Sequence, residues 1–180
     1  MNNIKEPSSK NKGLGSLFNI KTINISKSFG GTKALDDINL ELMAGEIHGL
    51  VGQNGAGKST LGKIIGGYHQ SSEGKLILNN KEIEKWSPKT ALDNGVAMIH
   101  QELALVPLMS VFENIFLGIE ENKFGVLEKK NLDFFYQLEE KISFGLNPND
   151  IVGNLRIADQ QKVEIMRALA RNAKVIIMDE

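Results

Sequence analysis

The sequence predicts an α/β fold, and three observations carry that prediction. A glycine-rich loop joins an apolar run to a helical pattern, a second apolar run ends in two carboxylates, and apolar and polar positions alternate near the start. The opening stretch "KTINISKSFGGTKALDDINLEL" (21–42) alternates on either side of "FGG", as half-buried antiparallel strands do, so a β hairpin is expected first. "GEIHGLVG" (45–52) reads as a buried strand centred on Ile47 to Val51, and "KSTLGKIIGGY" then places Leu61, Ile64 and Ile65 at helical spacing. "GKLILNNKEI" predicts an edge strand or hairpin, "PKTALDNG" a short helix and "VAMIHQ" (96–101) a second buried strand. From Pro107 to Gly153 the pattern turns helical, in "MSVFENIFLGI" and "KKNLDFFYQLEEKI", broken by the turn "GLNPND". "DQQKVEIMRALAR" (159–171) adds an amphipathic helix with Val163, Met166, Leu169 and Ala170 on one side and Asp159 in its first turn. "KVIIMDE" closes as a buried parallel strand with acidic residues at its carboxyl end.

Composition sets the outer limits. A chain of 180 residues with 41% apolar and 24% charged side chains is long enough for one domain with a core. Its net charge of −1 supplies no global field toward nucleic acid or an acidic membrane, so partners have to be argued from local sites. With no cysteine, disulfide frameworks and cysteine-ligated metals are excluded. Residues 1–18 are polar and lack the apolar segment of a secretory signal; they are expected to be a flexible tail before a domain at 19–180. Nowhere do 18 apolar residues run together, so membrane association is expected only through a partner.

The most specific feature is "GQNGAGKST", Gly52, Gln53, Asn54, Gly55, Ala56, Gly57, Lys58, Ser59 and Thr60, which fits G-x-x-x-x-G-K-[ST] between a strand and a helix start. Glycines at 52, 55 and 57 open backbone conformations that let successive N–H groups turn toward a phosphate, and the helix N-terminus adds positive potential there. Lys58 is then placed to reach β and γ phosphates and the Ser59 hydroxyl to coordinate Mg²⁺. A phosphate loop needs a carboxylate to help hold its metal; Asp179 supplies one, and Glu180 beside it can polarise a water for attack on the γ phosphate. The alternatives are a flexible glycine-rich turn and a solvated strand end. His48 and His100 read as core or strand-edge residues and His69 as a loop residue, while Phe134, Phe135 and Tyr136 read as helix core and Trp86 as a loop anchor.

Taken together, "VGQNGAGKST", "VAMIHQELALVPLMSVFENIFLG" and "LRIADQQKVEIMRALARNAKVIIMDE" resemble the ATP-binding subunits of ABC transporters over about residues 20–180. "IHQE", "ENIFLG" and "DQQ" look most like the first half of the tandem ATPases that energise importers of ribose and related monosaccharides. The resemblance implies a P-loop NTPase fold with an N-terminal antiparallel β subdomain and a helical subdomain at about 105–171. It implies ATP and Mg²⁺ as cofactors, with Phe29 stacked on adenine, residues 52–60 on the phosphates, and Gln101 coupling metal and attacking water to the transport subunit. In the same way it implies Asp179 at the metal and Glu180 as general base. Implied partners are a membrane permease, a second ATP-binding domain that completes a composite site and, indirectly, a periplasmic or extracellular sugar-binding protein, with the chain on the cytoplasmic membrane face and no nucleic acid partner. A soluble ABC protein acting on ribosomes or DNA is the more distant reading, because a Gln101 followed by a helical subdomain matches the surface a permease touches in the family.

Two departures bear on competence. Where the family signature has Leu-Ser-Gly-Gly-Gln, this chain has "LRIAD", with Arg156 for the serine and Ala158 for the glycine. Neither reproduces a short hydroxyl contact or close backbone approach, so the signature is expected to act weakly on a partner's phosphate. The family also continues past the glutamate with a further loop, a strand and a switch histidine that are not in this sequence. The sequence therefore also admits a truncated nucleotide-binding remnant, lacking the C-terminal part of the core sheet, in which hydrolysis by the chain alone is slow or absent.

Overall fold

In the computed structural model, the described residues are 18–119, 122–123, 126–127 and 129–179. Strands β1 (Asn19–Phe29) and β2 (Thr32–Met43) form the expected antiparallel hairpin, turning through Gly30 and Gly31. Both glycines take the positive φ that such a turn demands. Strand β3 (Glu73–Leu78) pairs with β1 on its other side, and β4 (Lys81–Glu82) with β3, giving the order β2-β1-β3-β4. Helix α1 (Lys58–Ile65) packs Leu61, Ile64 and Ile65 against Ile20, Ile25, Leu35, Leu76 and Leu78 from this sheet. Trp86 anchors the next loop as expected, buried and donating its indole N–H to the Ile65 carbonyl at 2.8 Å. Phe18, which the expected boundary left in the tail, already belongs to the domain: it packs on this core, and its carbonyl accepts from the Ala44 N–H. The rest of the expected tail, residues 1–17, lies outside the described residues.

A second core gathers the helical part. Helix α2 (Pro88–Asp93) leads into strand β5 (Val96–Ile99), followed by α3 (Val111–Phe116) and a short hairpin, β6 (Asn122–Lys123) with β7 (Val126–Leu127), that the sequence pattern did not announce. Helix α4 (Lys129–Ile142) runs the length read from its pattern, and α5 (Ile157–Ala170) begins two residues before the expected stretch. Val111, Ile115, Phe116, Phe135, Leu138, Leu146, Val152, Val163 and Met166 form this core. Of the expected aromatic trio only Phe135 is buried; Phe134 and Tyr136, on either side of it, are exposed, because adjacent helix positions point about 100° apart.

Helix α3 is short and owes its start to a reciprocal cap. The Ser110 hydroxyl accepts from the Glu113 N–H at 3.2 Å, and the Glu113 carboxylate accepts from the Ser110 N–H and hydroxyl at 2.8 Å each. The Ser110 N–H, then its hydroxyl, hold the Glu113 carboxyl below its ordinary value. Ser110→Ala is expected to cost about 1 kcal/mol in urea unfolding at neutral pH. Because the folded-state value is depressed, the Glu113 contribution is present above the ordinary carboxylate value and is lost as pH falls through the lowered one. The difference between wild type and Glu113→Gln is therefore expected to shrink on acidification.

Strand β8 (Val175–Met178) pairs in parallel with β5, in the register Val96↔Val175 to Ile99↔Met178. The pairing agrees with the sequence reading but the burial does not: residues 175–177 are half-buried and Met178 is exposed. The same correction applies more strongly to 45–52, read as a buried strand. No ladder pairs this segment with a strand among the described residues, and Ile47 and Val51 are 101% and 96% exposed. An apolar run becomes a buried strand only when a neighbour takes its backbone hydrogen bonds and covers its side chains. Neither is present beside it among the described residues. His48 shares this exposure and pairs with the Glu46 carboxylate at 2.7 Å instead of entering a core. Ile47→Ser is accordingly expected to change the stability of this chain by less than about 0.5 kcal/mol. Ile115→Ala, at a fully buried position, is expected to cost about 2–5 kcal/mol in the same unfolding experiment.

Candidate phosphate and metal site

Two of the three loop glycines adopt the special backbone the sequence implies; Gly52 does not, having no positive φ. Gly55 and Gly57 adopt φ of 83° and 86°, and Gly57 precedes α1 directly. A Cβ at Gly57 would lie 2.4 Å from the Ala34 carbonyl oxygen and 2.6 Å from a Leu35 methyl, so only glycine lets the loop lie this close to β2. The Ala56 N–H closes a turn onto the Gln53 carbonyl at 3.1 Å, and the Leu61 N–H bonds to the Gly57 carbonyl at 2.9 Å. Residues 52–56 and Ser59 are exposed, while Lys58 and Thr60 are half-buried at the helix start. The Lys58 ammonium folds back on the loop, donating to the carbonyls of Gly52 at 2.9 Å and Gln53 at 3.0 Å. The ammonium is thus held by neutral acceptors that an anion can outcompete.

Gln101 and Asp179 follow the two strands of the parallel pair. The Asp179 N–H continues the ladder by bonding the Ile99 carbonyl at 3.2 Å, so both side chains emerge at the carboxyl ends of β5 and β8. That is the edge where ligands bind in parallel α/β sheets. Helix α1 lies on these strands: a Cβ on Gly62 would meet Ile177 at 3.3 Å, and one on Gly66 would meet Met98. The phosphate loop is about one helical turn from the Gly62 contact and Asp179 two strand residues from Ile177. Glu180 lies outside the described residues.

Phe29 stands at the end of β1, 44% exposed. His69, read from sequence only as a loop residue, meets its ring edge-on at 5.4 Å, and the Lys27 ammonium lies 5.0 Å from the ring centroid. His100 is half-buried and stacks edge-on against Tyr68 at 4.5 Å, beside Gln101. At the other end of the helical part, Arg156 is the N-cap of α5 and gives it no side-chain cap, while Asp159 places its charge in the first turn, as read, and pairs with Lys162 at 2.7 Å.

The residues present fit a nucleotide phosphate with Mg²⁺. Among the described residues no group of three His, Asp or Glu could hold a metal ion by itself. A hydroxyl, one or two carboxylates and phosphate oxygens are the usual donors for Mg²⁺, which keeps several waters. The sequence matches the ABC transporter family over residues 35–180. The chain belongs to the ABC transporter family.

The relatives of this ABC protein agree with its architecture. It is 46% identical over 158 residues to a ribose import ATP-binding protein of Chromobacterium violaceum, covering 87% of this chain and 32% of that protein. It is 42% identical over 170 residues to a putative ribose/galactose/methyl galactoside import ATP-binding protein of Halalkalibacterium halodurans, covering 93% and 33% respectively. The chain thus spans about a third of the length of these curated relatives. Among solved structures, a nucleotide-free ATP-binding cassette from an ABC transporter superposes with a TM-score of 0.77 at 30% identity, over 91% of this chain and 69% of that one. The ADP conformation of MJ1267, an ATP-binding cassette of an ABC transporter, gives 0.77 at 31% identity, over 91% and 68%. The P-loop ABC ATPase fold read from the sequence is therefore the fold of this protein, with no helix among the described residues long and apolar enough to cross a membrane.

Proposed function

We propose that this chain is the ATP-binding component of an ABC importer for a monosaccharide of the ribose type. The observation that supports this reading is the glycine-rich loop at the start of α1, a helix that packs on β5 and β8, the strands that Gln101 and Asp179 follow. The relatives named above are ribose and galactose import ATP-binding proteins, which favours sugar import over other transport. In this reading Gly52 to Thr60 hold the phosphates, Lys58 leaves its loop carbonyls for the β and γ oxygens, and Phe29 offers the exposed face on which adenine stacks. Ser59, Asp179 and Gln101 are the residues that would hold Mg²⁺, which when bound would supply positive charge against the phosphate oxygens. Glu180 takes the proton of the attacking water.

The partners follow from the same chemistry. A permease supplies the membrane passage, a second ATP-binding domain brings its signature to this phosphate loop, and a sugar-binding protein delivers substrate on the far side. The chain sits on the cytoplasmic face, where ATP is. Hydrolysis by this polypeptide alone is slow, because the segment leading into the phosphate loop is exposed and unpaired among the described residues, and catalysis needs phosphates and base held rigidly.

Photolabelling with 8-azido-ATP in the presence of Mg²⁺ tests the reading. Labelling competed by ATP but not by AMP, on a peptide containing Phe29, is the expected result. Labelling indifferent to ATP would remove the basis for it.

A further inference from the structure

The stretch that follows Gln101 is gripped by side chains where a β ladder would ordinarily use backbone. The Ala104 N–H donates to the Glu164 carboxylate at 2.8 Å, and its carbonyl accepts from the Arg167 guanidinium at 2.6 Å. Glu164 and Arg167, one turn apart on α5, also pair with each other at 2.7 Å, with side chains 6% and 20% exposed. Two residues on, Asn114 of α3 does the same to Val106, accepting from its N–H at 2.7 Å and donating to its carbonyl at 3.0 Å. Residues 104–106 are therefore attached to α5 and α3. On the other side, His100 is tied to the nucleotide side through Tyr68, whose N–H is bonded to Lys63 of α1 at 2.7 Å. Between the two attachments lie Gln101, Glu102 and Leu103, outside regular structure, the first two exposed.

A buried carboxylate–guanidinium pair is weak evidence for stability, since well-packed apolar residues of similar volume hold an interior as well or better. What a polar pair adds is a defined position for the groups it bonds, here one peptide of the segment after Gln101. Building on the nucleotide-site reading, we propose that Glu164 and Arg167 are positioning residues for Gln101. By clamping the Ala104 peptide on α5 they limit where Gln101, three residues earlier, can stand.

The test compares binding of a fluorescent ATP analogue, with and without Mg²⁺, in wild type, Gln101→Ala and the double variant Glu164→Met/Arg167→Met. The double replacement keeps apolar volume and strands no charge, so the fold is expected to persist. Mg²⁺ is expected to tighten wild-type binding by about tenfold, within the usual range for coupling between two ligands. The double variant is expected to lose most of that ratio, as Gln101→Ala does, and to show faster amide exchange at Ala104; Glu164→Gln, which keeps an acceptor for Ala104, is expected to recover the protection. A wild-type Mg²⁺ ratio in the double variant, or unchanged exchange at Ala104, would overturn the clamp. Wild type that binds no nucleotide would refute the site reading and the clamp with it, whereas wild type and Gln101→Ala behaving as expected beside an unaffected double variant would refute the clamp alone.

Discussion

Lys58→Ala is expected to weaken binding of Mg–ATP by at least about 100-fold. The ammonium now makes two hydrogen bonds to loop carbonyls, Gly52 and Gln53, and on binding exchanges these neutral acceptors for phosphate oxygens. A charged phosphate oxygen is a stronger partner for the ammonium than a neutral carbonyl, and a gain of about 1.4 kcal/mol on each of the two exchanged bonds supplies the roughly 2.8 kcal/mol that a hundredfold change requires. The loop itself is held by its own backbone turn and by the close approach of Gly57 to β2, so the fold does not depend on Lys58. Urea unfolding of the ligand-free variant is expected to match wild type within about 0.5 kcal/mol. Equilibrium titration with a fluorescent nucleotide reads the first effect and a denaturation curve the second.

Phe135→Ala is expected to cost about 3–5 kcal/mol, the largest effect on stability proposed for this chain. Phe135 is fully buried in the helical core, with the rings of Phe112 and Tyr136 at 6.5 and 5.5 Å. Its removal opens a cavity lined by α3, α4 and α5, whose facing residues are fixed by other contacts and cannot all close in. Since whole domains are stable by about 5–15 kcal/mol, the variant is expected to unfold at a much lower urea midpoint. Tyr136→Ala, on the exposed side of the same helix, is expected to lose only about 0.5–1.5 kcal/mol through its edge contact with Phe135.

What was legible in the sequence was periodicity and punctuation. The two-residue alternation around Gly30 and Gly31 specified the hairpin, the 3.6-residue spacing of Leu61, Ile64 and Ile65 specified α1, and the pattern of residues 129–142 gave α4 its observed length. The phosphate loop was readable for the same reason, because glycine at 57 answers a local backbone and packing demand. Other features depend on contacts that no local pattern encodes. Residues 45–52 carry the composition of a buried strand, yet burial requires a neighbour to pair with, and Ile47 and Val51 are open to solvent. Glu164 is a charged residue on an amphipathic helix, a position normally solvated, and its burial follows from Arg167 and the Ala104 peptide meeting it. His69 gave no sequence signal beyond its proximity to α1, and only the fold brings it to Phe29.

Thermal unfolding with and without Mg–ATP bears most directly on the claim that this chain is a nucleotide-binding ABC cassette. A ligand that binds only the folded state stabilises it by about 2.7 kcal/mol at 100 times its Kd, which for a chain of this size raises Tm by roughly 5–10 °C. Wild type is expected to show a rise of that order that saturates with ATP, requires Mg²⁺ for its full extent and is absent in Lys58→Ala. No rise in wild type, or an equal rise in Lys58→Ala, would contradict a phosphate site at Gly52 to Thr60.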